Sequence, residues 1–474
     1  MKDKQARWLA LYTLCLGNLM IVLDTNIVNV ALPAIQGDLG FTPTALAWVV
    51  NAYMLTFGGF LLLGGRLGDL FGNRRVFLGA VVAFTLASIA CGLAPSAGFL
   101  VAGRAVQGLG GAAVSAVALA LIMGLFDDPA ERAKAMGVFG FVMSGGGAIG
   151  VLLGGILTGF LTWHWVFLVN VPVGVVVWLL AARVLPHRPA AATTQRLDVV
   201  GAVLVTGALV MLVYGVVSGG DGLAYVAGGL VLLAVFVAWE ARATHPLVPL
   251  RLFRLRNLVV AQVVGALWAG AMFATFFLSS LYLQQVLAYD ALAVGLAFLP
   301  TSVVMAVSSL RWSDKLVMRF GPKPPLVAGL AIVAVGLALL ARVPVDGGYV
   351  VDILPAMVLT GIGAGVALNP VLIVAMSDAK PEEAGLASGL ANTSFSMGGA
   401  LGLAVLASVA TWRTDALTAS GAGQPEALTG GFQIAFAIGA VFALAAAVVG
   451  GVLLKPAAAA ATAEPEQEQE AAAA

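Results

Sequence analysis

The sequence has little of what soluble enzymes and nucleic-acid-binding proteins rely on. Only 10% of its 474 residues are charged and the net charge is +1, so it carries no basic footprint for nucleic acid. Its two cysteines, Cys15 and Cys91, lie inside apolar segments, which argues against a disulfide framework or a thiolate metal site and favours packing. Its three histidines fall in the connections, so no metal-binding motif is present and we expect neither an enzyme nor a cofactor.

What the chain has in excess is apolar sequence: 61% of the residues are hydrophobic, and a further 58 are glycines. A transmembrane helix needs about 20 mainly apolar residues. The polar gaps then divide the chain into fourteen candidate spans. These are 8–30, 45–65, 76–94, 99–122, 135–159, 165–184, 198–218, 222–240, 257–284, 292–311, 323–342, 352–376, 384–410 and 430–453. We therefore expect an all-α integral membrane protein with 14 transmembrane helices.

Basic residues are concentrated in alternate connections between these spans. If the N-terminus is cytoplasmic, 21 of the 24 lysines and arginines fall on the cytoplasmic side. Of the other three, Arg342 and Arg413 lie in connections on the outer side of the membrane, and Arg104 lies within a span. By the positive-inside rule we expect a multi-pass protein of the inner (plasma) membrane with both termini in the cytoplasm.

The span order divides the chain into two halves and an insertion. We expect an N-terminal six-helix bundle at 1–196, an inserted transmembrane hairpin at 197–245, a C-terminal six-helix bundle at 246–456 and a disordered cytoplasmic tail at 457–474. Phe71–Arg74 and Phe320–Lys323 follow the second span of each bundle and resemble each other. Such an offset is typical of the parallel repeat found in some transporters.

Asp24 lies inside the first span, where an ionisable side chain is by default a functional candidate; the alternative is a helix-end carboxylate that reaches interfacial water. Arg104, in the fourth span, lies at the same depth, about 8 Å below the outer surface by helical rise. The two therefore make a direct salt bridge, or a polar site in which Arg104 tunes the proton affinity of Asp24, or a purely structural buried pair. Asn26 and Asn29 either line the polar interior or bond to neighbouring helices.

The connection Gly65–Arg75 interrupts the apolar sequence with three glycines and four charges. Glycine permits a tight chain reversal, and charged side chains are disfavoured in lipid, so we expect a turn at the cytoplasmic membrane surface. The residues that define it are Gly65, Arg66, Asp69, Gly72, Arg74 and Arg75.

Two further groups of residues are candidates for a transport role. The fifth span carries Gly146, Gly150, Gly154 and Gly155, whose small size predicts a close, bending helix contact, although glycine is common in transmembrane helices. Polar and aromatic side chains elsewhere either contact an apolar substrate or serve in packing and lipid contact. These substrate-cavity candidates are Asn29, Gln107, Trp268, Phe276, Gln285 and Asn392.

Three motifs together make the chain resemble the major facilitator superfamily, and within it the fourteen-helix drug:proton antiporters. Gly65–Arg75 resembles the loop signature G-x-L-a-D-r-x-G-r-k. Within Arg104–Gly111 the residues resemble the span-four motif R-x-x-Q-G-x-G, and Leu23–Pro33 resembles the span-one motif L-D-x-T-I-V-N-V-A-L-P, with Asn26 in place of threonine. The antiporter motif G-x-x-x-G-P-x-x-G-G matches the fifth span except that Val151 replaces the proline, which weakens the expected kink and leaves the direction of exchange open.

The resemblance implies proton-coupled export of hydrophobic, drug-like or antibiotic-like small molecules by alternating access, with the proton gradient as the energy source. Asp24 and Arg104 would couple protons to transport. Asp69, with Arg66, Arg74 and Arg75, would form a cytoplasmic latch; the alternative is that these charges only fix the topology of the loop. The expected partners are the small-molecule substrate, protons and the lipid bilayer, and we expect a monomer.

Other functions remain open on the same sequence. A uniporter or importer of a small metabolite would use the same fold, and the two are distinguished by whether directional transport needs a pH gradient. A membrane-embedded enzyme lacks candidate residues, and a channel is disfavoured because paired six-helix bundles are typical of rocking carriers.

Overall fold

The computed structural model describes residues 2–126, 128–186, 198–218, 222–244, 246–378 and 384–455. The tail expected at 457–474 lies outside these residues. Within them no β-strand occurs, and the helices follow one another with short connections. The all-helical fold class predicted from the sequence is confirmed.

Seventeen α-helices are described, several of them short pieces at the ends of longer ones. They are α1 (Lys2–Leu39), α2 (Pro43–Leu46), α3 (Trp48–Phe71), α4 (Asn73–Gly92), α5 (Ala97–Leu125), α6 (Pro129–Phe160), α7 (Trp165–Leu168), α8 (Asn170–Val184), α9 (Val199–Val217), α10 (Leu223–Glu240), α11 (Arg256–Leu281), α12 (Ala291–Val307), α13 (Asp314–Phe320), α14 (Lys323–Leu340), α15 (Leu354–Met376), α16 (Ala384–Ala419) and α17 (Gln424–Leu453). A 3₁₀ turn covers Leu250–Arg254, and π-helical turns cover Tyr282–Val286, Ser308–Ser313 and Tyr349–Ile353.

Among the described residues, 13 helical segments are long and apolar enough to cross a membrane. A further apolar stretch, Ile149–Phe160, forms the last part of the 32-residue helix α6. Helices α9 and α10 lie within a residue of the predicted spans 198–218 and 222–240. The protein is therefore a multi-span membrane protein.

The ends of the early spans differ from the prediction. Helix α1 runs from Lys2 to Leu39, and α3 continues through most of the predicted turn as far as Phe71. A helix satisfies its own backbone hydrogen bonds, so it continues past the apolar stretch wherever its polar side chains reach water. The chain reverses at Gly72, whose φ of 89° is in the left-handed region that glycine adopts easily.

Helices α1 to α8 and α11 to α17 show the same pattern of packing. In the first group α1 packs against α6 and α8, α5 packs against α3 and α4, and α4 packs against α8. In the second group α11 packs against α16 and α17, α15 packs against α12 and α14, and α14 packs against α17. The second group also repeats the glycine turn, since Gly321 has a φ of 76° between α13 and α14.

The two groups meet through α1 with α11, α3 with α16, and α6 with α12. The hairpin α9–α10 lies against this junction, because α9 packs on both α3 and α16. Gly59 permits that approach, since a β-carbon there would overlap the hydroxyl of Thr206 on α9. We call the side on which α1 begins the Lys4 face, and the side on which it ends the Leu39 face.

Candidate functional site

A polar cluster lies inside the apolar core of the first group of helices, where α1, α4, α5 and α8 meet. Glycines on α5 make room for it by bringing neighbouring backbones close. A β-carbon on Gly108 would lie 2.4 Å from the carbonyl oxygen of Tyr53, and one on Gly110 would lie 3.0 Å from the backbone nitrogen of Phe84. Small residues allow such contacts between membrane helices.

Asp24 is at the centre of this cluster and is completely buried. One carboxylate oxygen, Oδ2, accepts a hydrogen bond of 2.5 Å from Nη1 of Arg104. The other, Oδ1, accepts from the amide Nδ2 of Asn170 at 2.8 Å and from Nε2 of Gln107 at 3.0 Å. Both oxygens are therefore satisfied by protein donors, as a buried carboxylate requires.

Arg104 is buried as completely as Asp24. Its Nε donates to the carbonyl oxygen of Val49 at 2.9 Å, and its Nη1 also donates to Oε1 of Gln107 at 2.8 Å. The guanidinium carbon lies 4.4 Å from the centre of the Tyr53 ring and 5.6 Å from that of Phe167. Cation–π contact with two rings supports the positive charge where water is excluded.

The cluster extends beyond the ion pair to α4. Gln107 donates to Oγ of Ser88 at 2.7 Å and accepts from the thiol of Cys91 at 3.4 Å. Asn170 lies 3.4 Å from the same serine hydroxyl. Gln107, which the sequence assigned to a substrate cavity, is therefore placed in the ion-pair cluster and is fully buried.

The sequence-based reading missed Asn170, Ser88 and Tyr53. Asn170 had a recognisable signal, because an amide at the start of an otherwise apolar span needs a hydrogen-bonding partner. Gln107 had a signal too, since it lies three residues after Arg104 and so on the same face of α5. Ser88 and Tyr53 are ordinary residues for a membrane helix, and only the rotation of α4 and α3 shows that they face the pair.

The predicted glycines of α6 pack closely against α1 and α12. β-Carbons at Gly146, Gly150 and Gly154 would meet α1, the last of them 2.5 Å from the carbonyl oxygen of Ile27. A β-carbon at Gly155 would instead lie 2.7 Å from the carbonyl oxygen of Ala291 at the start of α12. The spacing of four residues places the first three on one face of the helix, as the sequence predicts. Val151, in the place of the motif proline, lies in an unbroken helix.

Hydrogen bonds join α1 to α11 near the Leu39 face. Ser280 Oγ donates to the carbonyl oxygen of Asn29 at 2.9 Å, and Gln284 Nε2 donates to that of Val30 at 3.1 Å. Closer to the surface, Nε2 of Gln285 lies 3.0 Å from Oε1 of Gln36. Asn29 and Gln285, both substrate-cavity candidates, are thus placed at the junction between the two groups of helices.

The remaining substrate-cavity candidates lie on α11 and α16. Trp268 is 2% exposed and packs edge-on against Phe395, with the ring centres 5.5 Å apart. Its indole Nε1 has no hydrogen-bond partner among the described residues. Phe276 stacks on Phe298 at 5.4 Å. Asn392 is exposed, one helical turn before Phe395. The six candidates are therefore distributed over three places in the fold.

The charged residues of the α3–α4 connection make separate contacts at the Lys4 face. Arg66 Nη2 donates to the carbonyl oxygen of Pro246, in the segment that follows α10, at 2.8 Å. Arg74 Nη2 donates to the carbonyl oxygen of Ala182, near the end of α8, at 2.6 Å. Arg75 is exposed, and the side chain of Asp69 is outside the described part of the chain.

The comparison with protein families identifies this fold. A family model described as Major Facilitator Superfamily matches residues 14–403. The chain belongs to this superfamily. The matched range includes the ion-pair cluster, the glycine helix α6 and the α3–α4 connection.

Two curated relatives match this superfamily member over nearly its full length. The puromycin resistance protein of Streptomyces alboniger is 39% identical over 462 residues, which cover 94% of this chain and 91% of the relative. The cephamycin export protein of Amycolatopsis lactamdurans is 42% identical over 454 residues, which cover 94% of this chain and 92% of the relative.

Solved structures share the fold at much lower identity. A transporter of the POT family aligns with a TM-score of 0.70 at 17% identity, covering 95% of this chain and 97% of the other. A D-xylose–proton symporter aligns with a TM-score of 0.66 at 14% identity, covering 95% and 98%. These structures show the fold, and the superfamily and the named relatives show that the chain is a transporter.

Proposed function

We propose that this protein exports hydrophobic, antibiotic-like small molecules across the inner membrane in exchange for protons. The observation that carries the proposal is its similarity, over more than nine-tenths of both chains, to a puromycin resistance protein and a cephamycin export protein. Proton coupling is supported by one feature of the fold, a buried ion pair with the only carboxylate that the described chain places in the core of the first group of helices.

The proposal includes the architecture that such transport needs. It has 14 membrane-crossing helices, with α6 completing the set, arranged as two six-helix bundles and the inserted hairpin α9–α10. The equivalent packing pattern in the two groups of helices supports the parallel repeat. The Lys4 face is the cytoplasmic face, because the connections there carry most of the basic residues. The protein acts as a monomer.

The mechanism follows from the electrostatics of the cluster. With Asp24 charged, Arg104 has a counter-ion and both are neutralised inside the core. When Asp24 accepts a proton from outside, Arg104 remains as an uncompensated buried charge, which is costly and favours a different packing of α1 and α5. Proton release towards the cytoplasm restores the pair. One proton thereby biases the equilibrium between two arrangements of the bundles.

The bundles have contacts to exchange during such a change. Near the Leu39 face, the α1–α11 hydrogen bonds hold the two groups of helices together. Opening towards that face requires these bonds to break. We propose that the side chains of Trp268 on α11 and Asn392 on α16 contact the substrate between the bundles. Arg66 and Arg74 belong to the proposed gate at the Lys4 face.

The test uses inside-out membrane vesicles with an acidic interior and radiolabelled puromycin as the probe. We expect accumulation that a protonophore abolishes and that the variant Asp24→Asn lacks. Glu131→Gln, which changes a partly exposed carboxylate on α6 that pairs with Lys4 and Arg7 at the Lys4 face, serves as the matched control and retains accumulation. Gradient-dependent accumulation that is unchanged in Asp24→Asn overturns the role of Asp24. Transport by the wild type that ignores the protonophore points instead to a uniporter.

A further inference from the structure

A pair of carboxylates, separate from the Asp24–Arg104 ion pair, lies where the hairpin α9–α10 begins and ends. Asp198 precedes the first residue of α9 and Glu240 is the last residue of α10. Both are buried, with 8% and 3% of their surface exposed. The pair lies at the Lys4 face, remote from Asp24. The transport mechanism proposed for the ion-pair cluster does not involve it.

Each carboxylate has one oxygen bound by the protein. Oδ1 of Asp198 accepts from the backbone nitrogen of Gly201 at 2.8 Å and from the indole nitrogen of Trp239 at 2.9 Å. Oε2 of Glu240 accepts from the backbone nitrogen of Val248 at 3.0 Å. The first set of bonds starts α9 and ties it to α10, and the second ties α10 to the segment that follows it.

The other oxygen of each carboxylate lacks a donor. Oδ2 of Asp198 and Oε1 of Glu240 are buried and have no hydrogen-bond partner in the described residues. They also point at the same place, because a β-carbon on Gly201 would lie 2.7 Å from the first and 2.6 Å from the second. Two acceptors that face each other in a dry site need a donor between them.

Among the described residues, no lysine or arginine forms an ion pair with either carboxylate. Arg66 of α3 bonds instead to the carbonyl oxygen of Pro246. The other described basic residues near the ends of the hairpin are exposed: Arg242, Arg251 and Arg254. Arg196, His245 and the side chain of Asp69 lie outside the described part of the chain. Two buried carboxylate oxygens that approach one point without a cation disfavour the state in which both groups are ionised.

We propose that Asp198 and Glu240 bind one proton between them, so that the protein has a proton-binding site distinct from Asp24. The proton lies between Oδ2 of Asp198 and Oε1 of Glu240 and leaves a single negative charge on the pair. Other pairs of neighbouring carboxylates share one proton in the same way, because two negative charges close together repel each other strongly. Glycine at position 201 is required, since any side chain there would occupy the position of the proton.

The shared proton connects the hairpin to the cytoplasmic gate. Glu240 holds Val248, and two residues earlier the carbonyl oxygen of Pro246 accepts from Arg66, at the start of the α3–α4 connection. Loss of the proton puts two negative charges side by side and drives the ends of α9 and α10 apart. The same movement displaces the segment that Arg66 holds, so the protonation state of the pair acts on the gate residue.

Infrared difference spectroscopy of the purified protein in lipid, recorded during a pH titration, tests the site directly. We expect the C=O band of a protonated carboxyl group that shifts on exchange into heavy water and disappears as pH rises. Glu240→Gln removes this band, because an amide takes the place of the shared proton. Glu131→Gln, which lacks a partly exposed carboxylate instead, keeps it. A wild-type protein without such a band, or a band that keeps its full intensity in Glu240→Gln, overturns the proposal.

Thermal unfolding provides a second, independent measurement. In the wild type and in Glu131→Gln, the unfolding midpoint falls as pH rises through the titration, because the proton that stabilises the native state is lost. In Glu240→Gln and in Asp198→Asn this pH dependence is lost, since the amide supplies the donor at every pH. A midpoint that follows the sodium concentration at constant pH would show a metal cation between the carboxylates and overturn the proton site. Neither readout depends on transport, so failure here leaves the proposed export function untouched.

Discussion

Replacing Asp24 by asparagine should destabilise the protein strongly, and the structure indicates by how much. The carboxylate is completely buried, forms a 2.5 Å ion pair with Arg104 and accepts hydrogen bonds from Gln107 and Asn170. Asparagine has nearly the same shape but only one acceptor oxygen, and its NH₂ group then faces donors. Removing one partner of a buried ion pair costs about 3–5 kcal/mol, because the other charge remains buried and uncompensated.

The double variant Asp24→Asn with Arg104→Gln separates charge from shape. With both charges absent, no uncompensated ion remains in the core, and replacing a buried pair by neutral residues is often close to neutral in stability. We therefore expect the double variant to be more stable than Asp24→Asn alone. The coupling energy in the double-mutant cycle should be at least about 1 kcal/mol, as for residues in direct contact within one network.

Both variants can be measured by chemical unfolding in detergent micelles, followed by tryptophan fluorescence. Nine tryptophans report on the transition, and two of them, Trp163 and Trp268, are almost completely buried. The control is Asp38→Asn, which removes a partly exposed carboxylate that bonds to Trp163 at the Leu39 face. We expect it to cost less than about 1 kcal/mol, the contribution of a typical hydrogen bond, because the amide oxygen of asparagine can still accept from Trp163.

Two results would refute this reasoning. An Asp24→Asn variant that unfolds like the wild type would mean that Asp24 is already neutral in the native state, and that Arg104 is stabilised by the rings of Tyr53 and Phe167 alone. Destabilisation that simply adds in the double variant would mean that the two charges do not interact.

Two further predictions concern the contacts of α1. Gly154→Ala should destabilise the protein by about 1–3 kcal/mol, because the added β-carbon overpacks against the carbonyl oxygen of Ile27. Gly137→Ala, on the same helix, should leave stability unchanged, because a β-carbon there would have no neighbouring atom within 4 Å. Thermal unfolding compares the two variants directly. Cysteines at Gln36 and Gln285, whose amides are 3.0 Å apart, should be joined by a short bis-thiosulfonate cross-linker, and transport should then stop until a reductant is added. A linker is needed because the cysteine side chain is two atoms shorter than the glutamine side chain that makes this contact. Either cysteine alone should leave transport sensitive to neither cross-linker nor reductant, and a cross-linked protein that still transports would show that this junction need not open.

The sequence predicts the ion pair because helix geometry is fixed. With a rise of about 1.5 Å per residue, counting from the ends of two spans was enough to place Asp24 and Arg104 at one depth. The direct contact between the two side chains needed the structure, because it depends on how α1 and α5 are rotated. Asn170 and Ser88 were missed for the same reason, because the limits of a span do not fix the direction that its side chains face.

Helix ends were predicted best where polar residues lie immediately beside the apolar run. The hairpin helices α9 and α10 are of this kind, since Asp198 begins the first and Glu240 ends the second. They were predicted worst where charged residues lie on a continuing helix, as in α3 up to Phe71. Hydropathy indicates where the lipid-embedded part of a span ends, whereas a helix ends where its backbone hydrogen bonds end. The two positions coincide when a capping residue lies at the end of the apolar run.

Helix α1 connects the features that this transporter needs to couple. One side of it presents Asp24 to the ion-pair cluster, and the residues that follow within about two turns, Asn29 and Val30, offer backbone carbonyl oxygens to α11. The glycines of α6 leave this helix in contact with backbone instead of interlocked side chains, and such a surface permits sliding at small cost. In the proposed mechanism, a change of charge at Asp24 therefore acts on the same helix that is hydrogen-bonded to the second group of helices near the Leu39 face. The proposed coupling between the proton and the movement of the bundles then requires no longer path than this one helix.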